Sequence, residues 1–519
     1  MNSDPSAPAK PTRRRVQSLG GQATAGLFWV AVQTALLRVV GIVGQLITAW
    51  VLMPDDFALA ALAMTASAFA NVFQSGGLSL MIQRSARMRL WATPLLWLSL
   101  TTNAAIMLLL IAVAPLIAMA YGEPTVRDLI IITAIGLPFA SVRIVPEANL
   151  RAQLRFRALA CSDVSLRIIH HVLVVTLALA GLGPFSFVVP TPIMNAMRSG
   201  LYWWMAPVKI RMRLEWRRWR YLVSDSTSAT LNSLTGVARR QSILAVLGLL
   251  ASTASAGIYF FAENLAMQVL SIIVKRSFTV FYPILTQLRK EPARQLAAYR
   301  RVSTTLRFFI SPVCLLQAIL AEPLFSLVFE PGKWDQAIPI FQILSLGLIL
   351  TVVEPITQQV IQAQGKFTLN LVLSLLYLPL SIGGLILSTF IGPLFAVAIA
   401  AVIMPIPLSI ARWYFAVRGV RPLKQHLPVL LDASIPCGAV AALAAYALIN
   451  GVAVIAGSAI AQLLIGGVVL PAIYLGAVWL ISPSTVNDII ETVRTKLRKR
   501  KGKGATRAQA TLSGQTIDR

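Results

Sequence analysis

Six cationic side chains stand in stretches that are otherwise apolar: Arg38, Arg198, Arg239, Arg240, Lys275 and Arg276. Near the middle of such stretches only two acids appear, Glu263 and Glu354. An ionisable group at the centre of a bilayer costs about 2.5–3.5 kcal/mol even on the most lenient scale, so such groups face a cavity or a partner. Arginine offers a planar fork of donors, stays charged at every physiological pH and suits phosphate oxygens. The six cations therefore point to a cationic lumen that binds an anion inside the membrane, with Arg38, Arg239 and Arg240 foremost. Glu263 and Glu354 are candidates for coupling transport to an ion, or for pairing with an arginine. Arg143 and Glu147 stand four residues apart, as do Asp163 and Arg167. That spacing lets opposite charges on one helix neutralise each other, so these four read as structural. His170 and His171 lack a suitably spaced third ligand and read as buried histidines, not as a metal site.

The elements that must hold these residues are membrane helices. Of 519 residues, 57% are hydrophobic and 13% charged, with a mean hydropathy of +0.73; a soluble domain is about a quarter charged. A spanning helix needs roughly 20 apolar residues, and about fourteen runs meet that need: 26–52, 57–82, 90–119, 129–150, 158–180, 185–207, 225–250, 256–288, 303–328, 337–363, 368–390, 392–415, 429–450 and 456–481. With the N-terminus inside, alternate connections are basic: Arg84 to Arg89, Arg151 to Arg157, Lys209 to Arg220, Arg289 to Arg301, Lys366, Arg412 to Lys424 and the C-terminal cluster. The opposite connections carry only Arg127 and Lys333. This is the positive-inside pattern, and it predicts an inner-membrane protein with both termini cytoplasmic. The net charge of +27 is then a topology signal, helped by anionic lipid, and not a nucleic-acid footprint. Cys161, Cys314 and Cys437 fall in apolar segments, far apart and odd in number, and read as small apolar residues without a disulfide. No cleavable signal peptide is expected, because the first apolar run is too long for one.

The chain repeats itself. Arg38 lies near the middle of the first run, and Arg239 and Arg240 near the middle of the seventh. A short turn follows each, then a small-residue start to the next run, at Ala58 and at Gly257. Both first helices run the same way across the membrane, so the halves are parallel repeats about an axis along the membrane normal. The fold class expected is an all-α membrane protein of two pseudo-symmetric six-helix lobes plus two C-terminal helices. The expected division is a basic cytoplasmic tail (1–25), a first lobe (26–207), an amphipathic cytoplasmic linker (208–224), a second lobe (225–415), an extra helix pair (429–481) and a basic tail (482–519), partly disordered.

Two motifs add a resemblance. One is the turn Leu52-Met53-Pro54-Asp55-Asp56-Phe57-Ala58; the other is the exit Leu150-Arg151-Ala152-Gln153-Leu154-Arg155-Phe156-Arg157. Over about 20–420 the chain resembles the polysaccharide transport (Wzx-type) flippases of the multidrug/oligosaccharidyl-lipid/polysaccharide exporter superfamily. The resemblance implies alternating access between two lobes facing each other in a V. It implies an undecaprenyl-pyrophosphate-linked oligosaccharide as substrate, for exopolysaccharide or lipopolysaccharide synthesis, with a polysaccharide polymerase and a chain-length regulator as partners.

Rival readings come from the same superfamily and from enzymes. A multidrug exporter of cations needs acidic cavity residues, whereas this interior is net basic. A peptidoglycan lipid flippase shares the cationic interior. A membrane glycosyltransferase or polysaccharide polymerase needs a sizeable outer loop or domain, and none is expected here; Asp55-Asp56 instead reads as the cap of the second helix. Without a Walker A motif, ATP-driven transport by this chain alone is unsupported. No catalytic residue, metal or cofactor is assigned. Residues 209–222 interleave cations with Trp216 and Trp219 and read as an interfacial helix on membrane lipid.

Overall fold

The computed structural model describes residues 13–83, 88–153, 155–210, 216–392, 394–419 and 459–481. Every regular element among them is a helix. The first half holds α1 (Arg13–Val51), α2 (Pro54–Gln83), α3 (Met88–Tyr121), α4 (Pro124–Val142), α5 (Ile144–Ala152), α6 (Phe156–Leu179), α7 (Phe185–Val188) and α8 (Pro190–Met205). The second half holds α9 (Trp216–Leu250), α10 (Thr253–Gln287), α11 (Pro292–Ile319), α12 (Ala321–Val328), α13 (Ala337–Thr351), α14 (Glu354–Ala363), α15 (Phe367–Thr389), α16 (Phe395–Ile403) and α17 (Pro405–Val417). The last described helix is α18 (Ala459–Ile481).

Nine helices or helix pairs among the described residues are long and apolar enough to cross a membrane, so the chain is a multi-pass helical membrane protein. The predicted runs 57–82, 185–207, 225–250 and 256–288 fall on α2, α7–α8, α9 and α10, which are not among those nine. Both α9 and α10 are 35 residues long; it is polar content, including Asn232, Thr235, Arg239 and Arg240, that sets α9 apart. The predicted run 429–450 lies outside the described residues. Two boundaries differ from expectation. Helix α1 begins at Arg13, within the predicted tail, because the helix continues past the last apolar turn. Helix α9 begins at Trp216, so part of the predicted linker is helical and continuous with the segment that carries Arg239 and Arg240.

Local chemistry starts and breaks these helices at repeat-related places. At the head of α2, Pro54 occupies the first turn and the Asp56 carboxylate accepts from the Met53 N–H at 3.0 Å, as in a capping box. At the head of α10, Ser252 Oγ accepts from the Ser255 N–H at 3.1 Å. Helix α4 gives way to α5 at Arg143, just before Pro146, and α13 to α14 at Val352-Val353, just before Pro355. Helix α7 gives way to α8 at Val189, before Pro190, and α16 to α17 at Met404, before Pro405. Proline lacks the N–H needed to continue a helix but fits its first turn, which suits these four breaks, while Pro115, Pro138, Pro312 and Pro379 sit inside helices that continue through them.

Helix pairing repeats as well. In the first half α1 packs on α6, α3 on α4, α2 on α4 and α4 on α8; in the second, α9 packs on α15, α11 on α13, α10 on α13 and α13 on α16. Between halves, α2 meets α9 and α10, and α10 meets α1. The α2–α10 crossing is tight: a Cβ on Gly257 would lie 2.1 Å from the Pro54 carbonyl oxygen and 3.0 Å from Ala58 Cβ. The two positions matched by the sequence repeat thus touch. Beside them lies an aromatic cluster in which the Phe57 and Phe261 ring centroids are 5.2 and 4.1 Å from that of Trp334. The segment carrying Trp334 laps onto the end of α1. Trp334 Nε1 donates to the Ala49 carbonyl at 3.0 Å and Lys333 Nζ to the Trp50 carbonyl at 2.6 Å.

Candidate functional site

Arg38 of α1 and Arg239 and Arg240 of α9 line one cavity of about 440 Å³. The two helices are the repeat-related first helices of the two halves, so the repeat itself brings these side chains together. Most of the remaining wall comes from the second half: Tyr259, Glu263 and Gln268 of α10, Thr351 and Glu354, Tyr377 of α15, and Pro405 at the break before α17. A volume of this size lies in the ~300–1,000 Å³ range of small-ligand sites.

The charges of this wall are unevenly matched. Glu354 forms an ion pair with Arg412, a residue of α17 that is only 4% exposed, and Arg412 Nη2 also donates to Ser374 Oγ at 2.7 Å. The sequence reading had placed Arg412 in a cytoplasmic loop; the structure buries it, because Glu354 and Ser374 supply partners that its own helix does not. Glu263 lies within electrostatic reach of Arg240 without forming an ion pair. Among the described residues, no carboxylate lies within 4 Å of the Arg38, Arg239 or Arg240 guanidinium. With Glu354 engaged elsewhere, the wall carries an excess of positive charge. Such a surface can replace the hydration of an anionic headgroup.

Most of the uncharged wall escaped the sequence reading, Tyr377 and Gln268 among it. Tyr377 Oη is buried without a hydrogen-bond partner among the described residues; a tyrosine in an apolar helix gives no sign of facing a cavity. Gln268 Nε2 donates to Gln45 Oε1, and Gln45 Nε2 to the Phe261 carbonyl at 3.3 Å, which fixes α1 against α10 beside Arg38.

Arg198 stands apart from this cavity. On α8 it lies 3.8 Å from the Asp163 carboxylate of α6. That carboxylate also accepts from Gln33 Nε2 of α1 and from Tyr202 Oη, both at 2.6 Å. Two expected helix-internal pairs are therefore replaced. Glu147 binds Arg151, at 2.7 Å, and not Arg143; Asp163 turns to α1 and α8 and not to Arg167. His171 packs against Gly44, where a Cβ would lie 2.3 Å from the imidazole. Among the described residues no group of three or more His, Cys, Asp and Glu side chains is placed to hold a metal ion. The side chains of Lys275 and Arg276 lie outside the described ones. Cys161 and Cys314 are free.

Several solved structures share this fold. The lipid II flippase MurJ in its inward closed conformation aligns with a TM-score of 0.66 at 14% identity, covering 89% of this chain and 100% of that one. A multidrug resistance MATE family transporter in an inward-facing conformation aligns at 0.59 and 15% identity, over 76% of this chain and 99% of that one. A MOP superfamily transporter from Pyrococcus furiosus aligns at 0.54 and 18% identity, over 78% and 96%. At these identities the likeness concerns the fold. By sequence, no curated protein matches. The match that reaches beyond fold is to a family model: residues 47–339, more than half of the 519, fit the polysaccharide biosynthesis protein family, and the chain belongs to it.

Proposed function

We infer that this protein is a flippase, not an enzyme, that carries undecaprenyl-pyrophosphate-linked oligosaccharide across the bacterial inner membrane by alternating access, for surface polysaccharide synthesis. One observation carries the reading: one cavity is lined by arginines from the repeat-related first helices of both lobes, and these arginines have no carboxylate partner within 4 Å among the described residues. A pyrophosphate supplies the missing counter-charge and accepts the bidentate hydrogen bonds that guanidinium groups favour. Membership in a polysaccharide biosynthesis family supplies the saccharide. The basic connections assign both termini to the cytoplasm. Outward movement of an anion is favoured by a negative-inside potential, with Glu263 and Glu354 the candidate groups for ion coupling. A polysaccharide polymerase and a chain-length regulator would act on the flipped unit.

The fold likeness to a lipid II flippase favours one second reading, transport of the peptidoglycan lipid precursor. The decisive experiment deletes the gene while leaving glycan initiation intact, then measures undecaprenyl-pyrophosphate-linked saccharides on each membrane face by mass spectrometry. Complete repeat units held on the cytoplasmic face, with surface polymer lost, are expected. Accumulated peptidoglycan precursor would favour the second reading. Units that reach the outer face unpolymerised would overturn both.

A further inference from the structure

Helices α1 and α6 run side by side in the same direction. Gln33 bonds Asp163 at one level, and Gly44 touches His171 further along. Arg38 and Arg167 fall between these two contacts and lie within electrostatic reach of each other; Arg198 of α8 lies within reach of Arg167 as well. Arg167 is eleven residues into the 24-residue α6, about 16 Å along the axis from its start at 1.5 Å per residue. Asp163, held by Gln33 and Tyr202 and 3.8 Å from Arg198 Nε, brings a single negative charge to the three cations, which leaves a surplus of positive charge.

The second lobe provides an internal control. There, Asn370 Nδ2 donates to Asn232 Oδ1 at 2.7 Å, joining α15 to α9 as Asp163 joins α6 to α1. Four residues on from Asn370, where the first lobe has Arg167, stands Ser374. The buried cation beside it, Arg412, is matched by Glu354. In the second lobe Arg412 has a carboxylate of its own; in the first, Arg38, Arg167 and Arg198 share the one carboxylate of Asp163, and Arg38 also lines the cavity.

We propose that Arg167 and Arg198, with Arg38 shared between them and the cavity, form a second anion subsite that takes a carboxylate of an acidic sugar in the transported saccharide. This rests on the flippase reading and narrows its substrate to a glycan bearing uronic acid or a similar acid. The diphosphate occupies the Arg239–Arg240 side, and the acidic sugar lies on the first-lobe side.

The test uses the full-length protein in lipid nanodiscs and three probes: trigalacturonate, the neutral trisaccharide maltotriose, and inorganic pyrophosphate. Binding is read by calorimetry, and melting without ligand checks folding. Trigalacturonate is expected to bind wild type well above maltotriose. Arg167→Gln is expected to weaken trigalacturonate roughly tenfold, the scale of one lost charge-assisted contact, and to leave pyrophosphate unchanged. Arg167→Lys should recover part of that loss, and Arg239→Gln with Arg240→Gln should show the reverse selectivity. Equal binding of the acidic and neutral trisaccharides overturns the subsite, and pyrophosphate binding then leaves the flippase reading standing. Equal loss of both anions in Arg167→Gln also overturns it, because the cations would then form one field. Trigalacturonate binding that depends on Arg167, without pyrophosphate binding, upholds the subsite and removes the diphosphate reading.

Discussion

At the scale of single residues the molecule separates cations that have partners from cations that do not. Arg412 has one: buried in α17 beside the cavity, it pairs with Glu354 and bonds Ser374. Removing one member of a buried pair leaves an uncompensated charge, which typically costs about 3–5 kcal/mol, whereas replacing both is often near neutral. Arg412→Met is therefore expected to lower the melting temperature in detergent sharply, and adding Glu354→Gln should restore most of it. Arg239 and Arg240 call for the opposite signature. Without carboxylate partners to strand, Arg239→Ala with Arg240→Ala is expected to abolish polysaccharide export while leaving protein level and melting intact. Arg240→Lys should keep part of the export, because it retains the charge and loses only the planar fork. Normal export by the double alanine variant, at wild-type protein level, would remove these residues from the binding site.

Among elements, the α2–α10 crossing makes the sharpest demand on sequence. Gly257 faces the backbone of α2 with no room for a methyl group, the Pro54 carbonyl being 2.1 Å from where its Cβ would stand. Gly257→Ala is thus expected to destabilise by the upper end of the ~1–3 kcal/mol typical of overpacking. The same change at Gly236 in α9 meets open space and should be neutral or slightly stabilising, since alanine is the better helix former by about 1 kcal/mol. Paired melting curves separate the two. The helices themselves were legible in the sequence, because apolar length and basic flanks are properties of each segment alone. So was the match of Ala58 to Gly257, through small residues after a short turn. The ion pairs were not: spacing along a helix shows that Glu147 can meet Arg143, but it also permits Arg151, and only packing decides. Nor does spacing announce that Asp163 looks across to α1 and α8. Arg412 was misread for a related reason, since a cation near the end of an apolar run looks like the start of a basic loop until Glu354 of another helix is placed beside it.

For the whole molecule, Trp334 and Lys333 tie the segment before α13 to the end of α1. On the proposed topology and transport reading this tie lies at the outer side and would have to part for release. Replacing Trp50 and Lys333 by cysteine is expected to trap it: oxidation should stop export in cells, and reductant should restore it. Unimpaired export by the fully cross-linked protein would show that this tie need not part. The touching pair Ala58 and Gly257 has a consequence of another kind. Residues related by a two-fold axis meet their own counterparts where they approach that axis, as in an isologous dimer. A single six-helix unit that paired with its own copy would therefore press this position against itself, and any enlargement there would be felt twice. Fusion of two such units into one chain lifts that penalty from each position separately, which lets one copy keep alanine while the other holds glycine.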